Sequence, residues 1–139
     1  MSGKLTYGAS VFDFDETVGY SNNVVIAFKG KQSFTIKSNE WPMVGEKYKS
    51  DGWNFDFTDF NKVTDGTPGP LINKLKNQIN KYGNESIYIL TARHSDSESA
   101  IHEWLLTQDI ELKLENVIGI GSSSGEAKAE WIQNNLINH

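Results

Sequence analysis

Two aspartates separated by one residue, Asp13-Phe14-Asp15, follow directly on the short apolar run Gly8 to Phe12. If Asp13 closes a strand and the chain then curls, both carboxylates face one cleft. Paired carboxylates there suit a hard cation such as Mg²⁺, which takes oxygen ligands and brings substrate phosphate with it. Asp13 is then placed to attack phosphorus, because an aspartate can form an aspartyl-phosphate. Asp15 is placed to protonate the leaving oxygen and later to activate water. Two further residues fit the same chemistry. Thr91, after Tyr88 to Leu90, can hold a phosphoryl oxygen, and Lys128 can neutralise charge on the phosphoryl group and on Asp13. Lys128 falls in the first turn of an expected helix, where the dipole disfavours a cation. That awkward position favours a functional reason for it.

The elements that must position these residues follow from the hydrophobic pattern. Gly8 to Asp13 reads as a buried strand, and Val24 to Phe28 with Ser33 to Ile36 as a hairpin around Lys29 to Gln32. Trp41 to Gly69 has no sustained period and reads as a long irregular segment. Pro70 is expected to open a helix with Leu71, Ile72, Leu75 and Ile79 on one face and Gly83 at its end. Ser86 to Leu90 is a second buried strand. Ser95 and Glu98 form an expected capping box for a helix with Ile101, Trp104 and Leu105 inward. Asn116 to Ile120 is a third strand. Ser123 and Glu126 offer another capping box, before a helix with Ala127, Trp131, Ile132 and Leu136 inward.

This alternation predicts an α/β protein with a parallel sheet and right-handed crossovers. Ligand sites in such sheets lie outside the carboxyl ends of the strands. The residues to watch are therefore 13–17, 91–94 and 121–128.

Read together, the motifs resemble those of the haloacid dehalogenase (HAD) superfamily. Val11 to Thr17 looks like its first motif, Asp-x-Asp-x-Thr after a hydrophobic strand. Ile87 to Arg93 looks like the second, a strand ending in Thr, and Gly125 to Lys128 like the third, with its lysine. The overall pattern is closest to small HAD-like proteins often encoded by tailed bacteriophages. The resemblance implies a Rossmann-like core with helices on both faces, forming one domain over 1–139. It also implies an inserted, cap-like segment over 18–69 that covers the site and sets substrate choice. By the same resemblance Asp13, Asp15, Thr91 and Lys128 are catalytic. Asp13 and the main-chain carbonyl of Asp15 bind Mg²⁺.

The family's fourth motif, a further strand ending in acidic residues, has no counterpart after Glu130. The last core strand is therefore expected to be absent, as in a cut gene or fragment.

Thr17 and Arg93 are candidate substrate contacts, Arg93 equally an exposed structural arginine. Lys29, Lys31 and Lys37, interleaved with Phe28, Phe34 and Trp41, could stack bases and meet phosphates, with Lys29 and Lys31 the candidates to meet a nucleic-acid end. The alternative for the hairpin is a small cap with solvated lysines. His94, His102 and His139 read as surface residues, and Trp104 and Trp131 as core.

Composition bounds the rest. A chain of 139 residues with 37% hydrophobic and 22% charged residues suits one soluble domain. It contains no cysteine, which excludes disulfides and thiol chemistry. A net charge of −5 argues mildly against general nucleic-acid binding. No apolar run is long enough to span a membrane and no secretory signal is seen, so a cytoplasmic location is expected. The expected activity is a Mg²⁺-dependent phosphomonoester hydrolase acting on a phosphorylated small molecule or a nucleic-acid end. The alternative is a binding module that keeps the fold without turnover.

Overall fold

The structure is a computed structural model and describes residues 9–122 and 125–137. It is a mixed α/β arrangement with four α-helices among the described residues. Three strands form a parallel sheet in the order β1 (Ser10–Phe12), β7 (Ile87–Thr91), β8 (Val117–Gly119). Phe12 lies beside Ile89, and Thr91 beside Gly119. The carboxyl ends of β1 and β7 therefore open on one side, as the sequence pattern predicts. Ile87, Ile89 and Leu90 are buried because this sheet is covered, and their apolar run is the signature of that cover.

After β1 the chain turns tightly. The amides of Thr17, Val18 and Gly19 all donate to the carbonyl of Phe14. The turn ends in β2 (Gly19–Tyr20), which pairs antiparallel with β6 (Thr67–Pro68). Between these two short strands the inserted segment leaves and returns. It contains the expected hairpin, β3 (Val24–Lys29) and β4 (Gln32–Lys37), and a third strand β5 (Asn54–Asp56) on the far side of β3.

The expectation of an irregular stretch over 41–69 is corrected. Trp41–Ser50 forms helix α1, with Pro42 in its first turn. Gly45, which looks like a helix breaker, is needed in its interior. A Cβ there would come within 3.1 Å of the Trp41 indole. Gly in a helix costs about 1 kcal/mol relative to Ala; here it lets Trp41 lie flat against its own helix. Trp41 then stacks edge-on with Phe55 and Phe57. With Val25, Ala27, Ile36 and Phe60 it forms an apolar cluster belonging to the insertion itself.

The second, larger cluster lies under the parallel sheet. It joins Phe12, Phe14 and Val18 to Leu75 of α2 (Ile72–Tyr82) and to Ile101, Trp104 and Leu105 of α3 (Glu98–Thr107). Trp104 meets Phe14 edge-on at 5.7 Å. The last helix, α4 (Gly125–Ile132), continues into a π turn, Gln133–Ile137. Its Trp131 is half-buried against Tyr88 of β7.

Several local readings are revised. Leu71 lies outside the buried face of α2, at 39% exposure. Ser95 does not cap α3; residues 95–97 form a 3₁₀ turn and the helix begins at Glu98. Glu98 instead accepts the amide of Gly119 at 2.8 Å, tying α3 to the end of β8. His102 is partly buried and bonds the carbonyl of Leu112 at 2.8 Å. The capping role of Ser123 and the position of His139 lie outside the described residues. No helix among the described residues is long and apolar enough to cross a membrane.

Candidate active site

Strand β1 ends at Phe12, one residue short of Asp13, and the two aspartates lie in the turn beyond it on either side of a core side chain. Phe14 is wholly buried against Trp104, and Asp13 and Asp15 both line the opening. The turn that follows forces Glu16 into the left-handed region at φ 63°, a conformation that costs a non-glycine residue about 1–2 kcal/mol. The Glu16 carboxyl is held above its ordinary pKa by burial first and by the Asp15 charge second. The turn is closed from outside by Gly69, whose amide donates to Val18, and by Leu71, whose amide donates to Thr17. A Cβ on Gly69 would sit 2.5 Å from the Thr17 carbonyl oxygen, so only glycine permits this approach.

A cleft of about 120 Å³ lies over the turn, lined by Asp13, Asp15, Thr91 and Lys128 together with Ser38, Trp41, Pro42 and Phe60. The structure thus brings together the four residues singled out as catalytic. The side chain of Asp13 is 51% exposed and forms an ion pair with Lys128. Lys128 reaches it from the first turns of α4. Burial at the cleft wall pulls the Lys128 ammonium below its ordinary pKa, despite the carboxylate beside it. Thr91 is buried at the end of β7, and its hydroxyl accepts the amide of Arg93 at 3.2 Å. That bond leaves the hydroxyl proton for another acceptor.

Arg93 is not available as a substrate contact. Its side chain is the largest fully buried one, 1% exposed, lying over Phe60 at 4.2 Å and Phe14 at 5.4 Å. Nε and Nη2 grip the two Asp15 oxygens at 3.0 and 2.7 Å. Nη2 also donates to Ser21 Oγ at 2.8 Å, and Nη1 to the carbonyls of Phe60 and Lys62. A guanidinium has five N–H donors, and these five bonds engage them all.

The other expected contacts are elsewhere. Thr17 does not line the cleft; its main chain anchors the start of α2. Lys29 and Lys31 sit at the hairpin tip, and β4 runs from there back to Lys37, next to Ser38. Six to seven residue steps to Ser38, at about 3.4 Å each, put them roughly 20–24 Å along the strand from the cleft wall. Lys29 is also bonded to the carbonyl of Asp51 at 2.8 Å.

Of the cleft wall, Trp41 was expected only as a stacking aromatic beside the hairpin lysines, and Ser38, Pro42 and Phe60 were not foreseen from the sequence. The available signal was Pro42 after an aromatic, which marks a helix start. Beyond Ser38 the cleft adjoins a larger polar cavity of about 480 Å³, bordered by Glu16, Tyr20, Asn22, Lys37 and Asn39.

Mg²⁺ usually takes one or two carboxylates and completes its shell with water and substrate phosphate. The half-exposed Asp13 carboxylate, with Asp15 beside it in the cleft lining, meets that minimum. No group of three or more His, Asp or Glu side chains placed to hold a metal occurs among the described residues.

Comparison with protein-family models, with curated proteins and with solved structures finds no match to this chain.

Proposed function

We propose that this protein is a Mg²⁺-dependent phosphomonoester hydrolase with a HAD-like core, in which residues 18–69 act as a cap. The observation that carries this reading is the convergence of Asp13, Asp15, Thr91 and Lys128 on one cleft at the carboxyl end of a parallel sheet. Asp13 Oδ attacks phosphorus and the bond from phosphorus to the leaving oxygen breaks. Asp15, an ion-paired carboxylate in the resting site, takes up a proton from solvent and gives it to that oxygen. Thr91 and Lys128 bind the phosphoryl oxygens and offset their charge. Asp15, now deprotonated, takes a proton from water as the water oxygen attacks phosphorus. The acyl-phosphate bond breaks, releasing inorganic phosphate and restoring both groups. Asp13 and the Asp15 carbonyl would hold Mg²⁺, which when bound supplies charge neutralisation on the phosphoryl group.

The leaving group has room on the Ser38 side, where the larger cavity is lined by amides, a lysine, Tyr20 and Glu16. That lining favours a polar leaving group with a stackable ring, such as a nucleoside or the end of a polynucleotide.

The test is phosphate release from nucleotides, end-phosphorylated oligonucleotides and an aryl phosphate, with and without Mg²⁺, beside Asp13→Asn. Metal-dependent release that vanishes in Asp13→Asn is the expected result. Full activity in that variant would refute the mechanism. That no group of three or more His, Asp or Glu side chains placed to hold a metal occurs among the described residues favours a second reading, a phosphate-binding module without turnover. It predicts binding of phosphate esters with no release at any Mg²⁺ concentration.

A further inference from the structure

Arg93 joins three things that the sequence keeps far apart. Its guanidinium holds both oxygens of Asp15, 78 residues away. Three donors hold the inserted segment, at Ser21 Oγ and at the Phe60 and Lys62 carbonyls. Its own main chain completes the phosphoryl side of the cleft, since its amide donates to Thr91 Oγ1 and its carbonyl accepts the amide of Gly121 at 2.9 Å. The planar fork between Phe14 and Phe60 has no freedom to rotate without losing several bonds together. The aim of the Asp15 carboxylate is therefore set by where the 59–62 turn and Ser21 sit.

We infer that Arg93 is a positioning residue that transmits the placement of the inserted segment to the acid–base carboxylate Asp15. This inference rests on the hydrolase reading above. Closing of the segment over a substrate would align the proton donor with the leaving oxygen; a displaced segment would misalign it. Arg93 does not line the cleft, and its side chain acts on the reaction through Asp15.

Leaving-group dependence separates this role from a merely structural one. A nitrophenolate departs without being protonated, whereas an alkoxide needs the proton from Asp15. Arg93→Lys keeps the charge but not the fork. General acid catalysis is worth about 10²–10⁴-fold. Release from a simple alkyl phosphate should therefore fall at least about tenfold further than release from nitrophenyl phosphate. Ser21→Ala, which removes a single acceptor from Nη2, should shift the same ratio in the same direction by a few-fold, and it carries the test should Arg93→Lys not fold. In an Asp15→Asn background the ratio should no longer respond to Arg93→Lys. Equal losses on both substrates, in both single variants, would overturn the inference and leave the hydrolase reading standing. Wild-type protein that releases nothing from either ester would overturn both.

Discussion

Replacing Arg93 with methionine tests how much of the structure hangs on one buried charge. Methionine keeps much of the length and apolar bulk between Phe14 and Phe60 but donates no hydrogen bond. Five bonds vanish, and Asp15, only 12% exposed, keeps its charge without its partner. Removing one member of a buried ion pair typically costs about 3–5 kcal/mol. For a chain of 139 residues the unfolding entropy near the midpoint is about 0.3 kcal/mol/K, so the melting temperature should drop by roughly 10–17 °C. Calorimetry and urea unfolding give the size of the loss. The informative arm is Arg93→Met with Asp15→Asn. Neutralising the orphaned carboxylate should restore a measurable part of the loss, about 1–3 kcal/mol, making the two substitutions non-additive. A single-variant loss below about 1 kcal/mol, in the range of an exposed pair, would refute the reasoning. So would strict additivity of the two changes.

Gly69→Ala should destabilise by about 1–3 kcal/mol, as overpacking against backbone does, and should lower phosphate release by shifting the 13–19 turn; an unaltered melting curve would count against the close approach to Thr17. Leu75→Ala, at a fully buried site, should cost about 2–5 kcal/mol, whereas Met43→Ala, at 76% exposure, should stay within about 0.5 kcal/mol; similar urea midpoints for the two would contradict the assigned core. Asp56 has its pKa lowered by the Thr58 hydroxyl and then the Thr58 amide. Its contribution is thus complete above the unfolded value of about 4 and is lost as the pH falls through the lower folded value; a carboxyl ¹³C titration should show that lowered midpoint, moving up in Thr58→Ala. Lys29→Ala with Lys31→Ala should leave release from a mononucleotide unaffected, since both lie roughly 20–24 Å along the strand from the cleft wall; a large loss would mean that the hairpin tip reaches the reacting end.

The sheet strands were legible because a covered parallel strand needs a short continuous apolar run, and Val11-Phe12 and Ile87 to Leu90 supply one. Asp13, Asp15, Thr91 and Lys128 could be picked out because each sits just past such a run or at the start of the next helix. Helix α1 was not legible. Its Pro42 and Gly45 read as interruptions, and only the packed Trp41 ring explains the glycine. Glu98 looked like half of a capping box, yet its partner is a Gly119 amide that folding brings from 21 residues away. Arg93 shows the limit most clearly. Every acceptor of its side chain lies 31 or more residues distant, so local pattern carries no trace of the network.

The clasp between Gly19-Tyr20 and Thr67-Pro68 brings the two ends of the insertion side by side. A segment whose ends already touch can change length at small entropic cost, about 0.6 kcal/mol for each doubling of a flexible loop. The insertion can therefore be exchanged as a cassette, carrying away Ser38, Trp41, Pro42 and Phe60 while leaving Asp13, Thr91 and Lys128 in their frame. One condition travels with any replacement. It must present acceptors where the Phe60 and Lys62 carbonyls and Ser21 Oγ now stand, or a buried guanidinium loses partners on arrival. A graft that ignores this requirement would fail through the core rather than through the new surface it was chosen to provide.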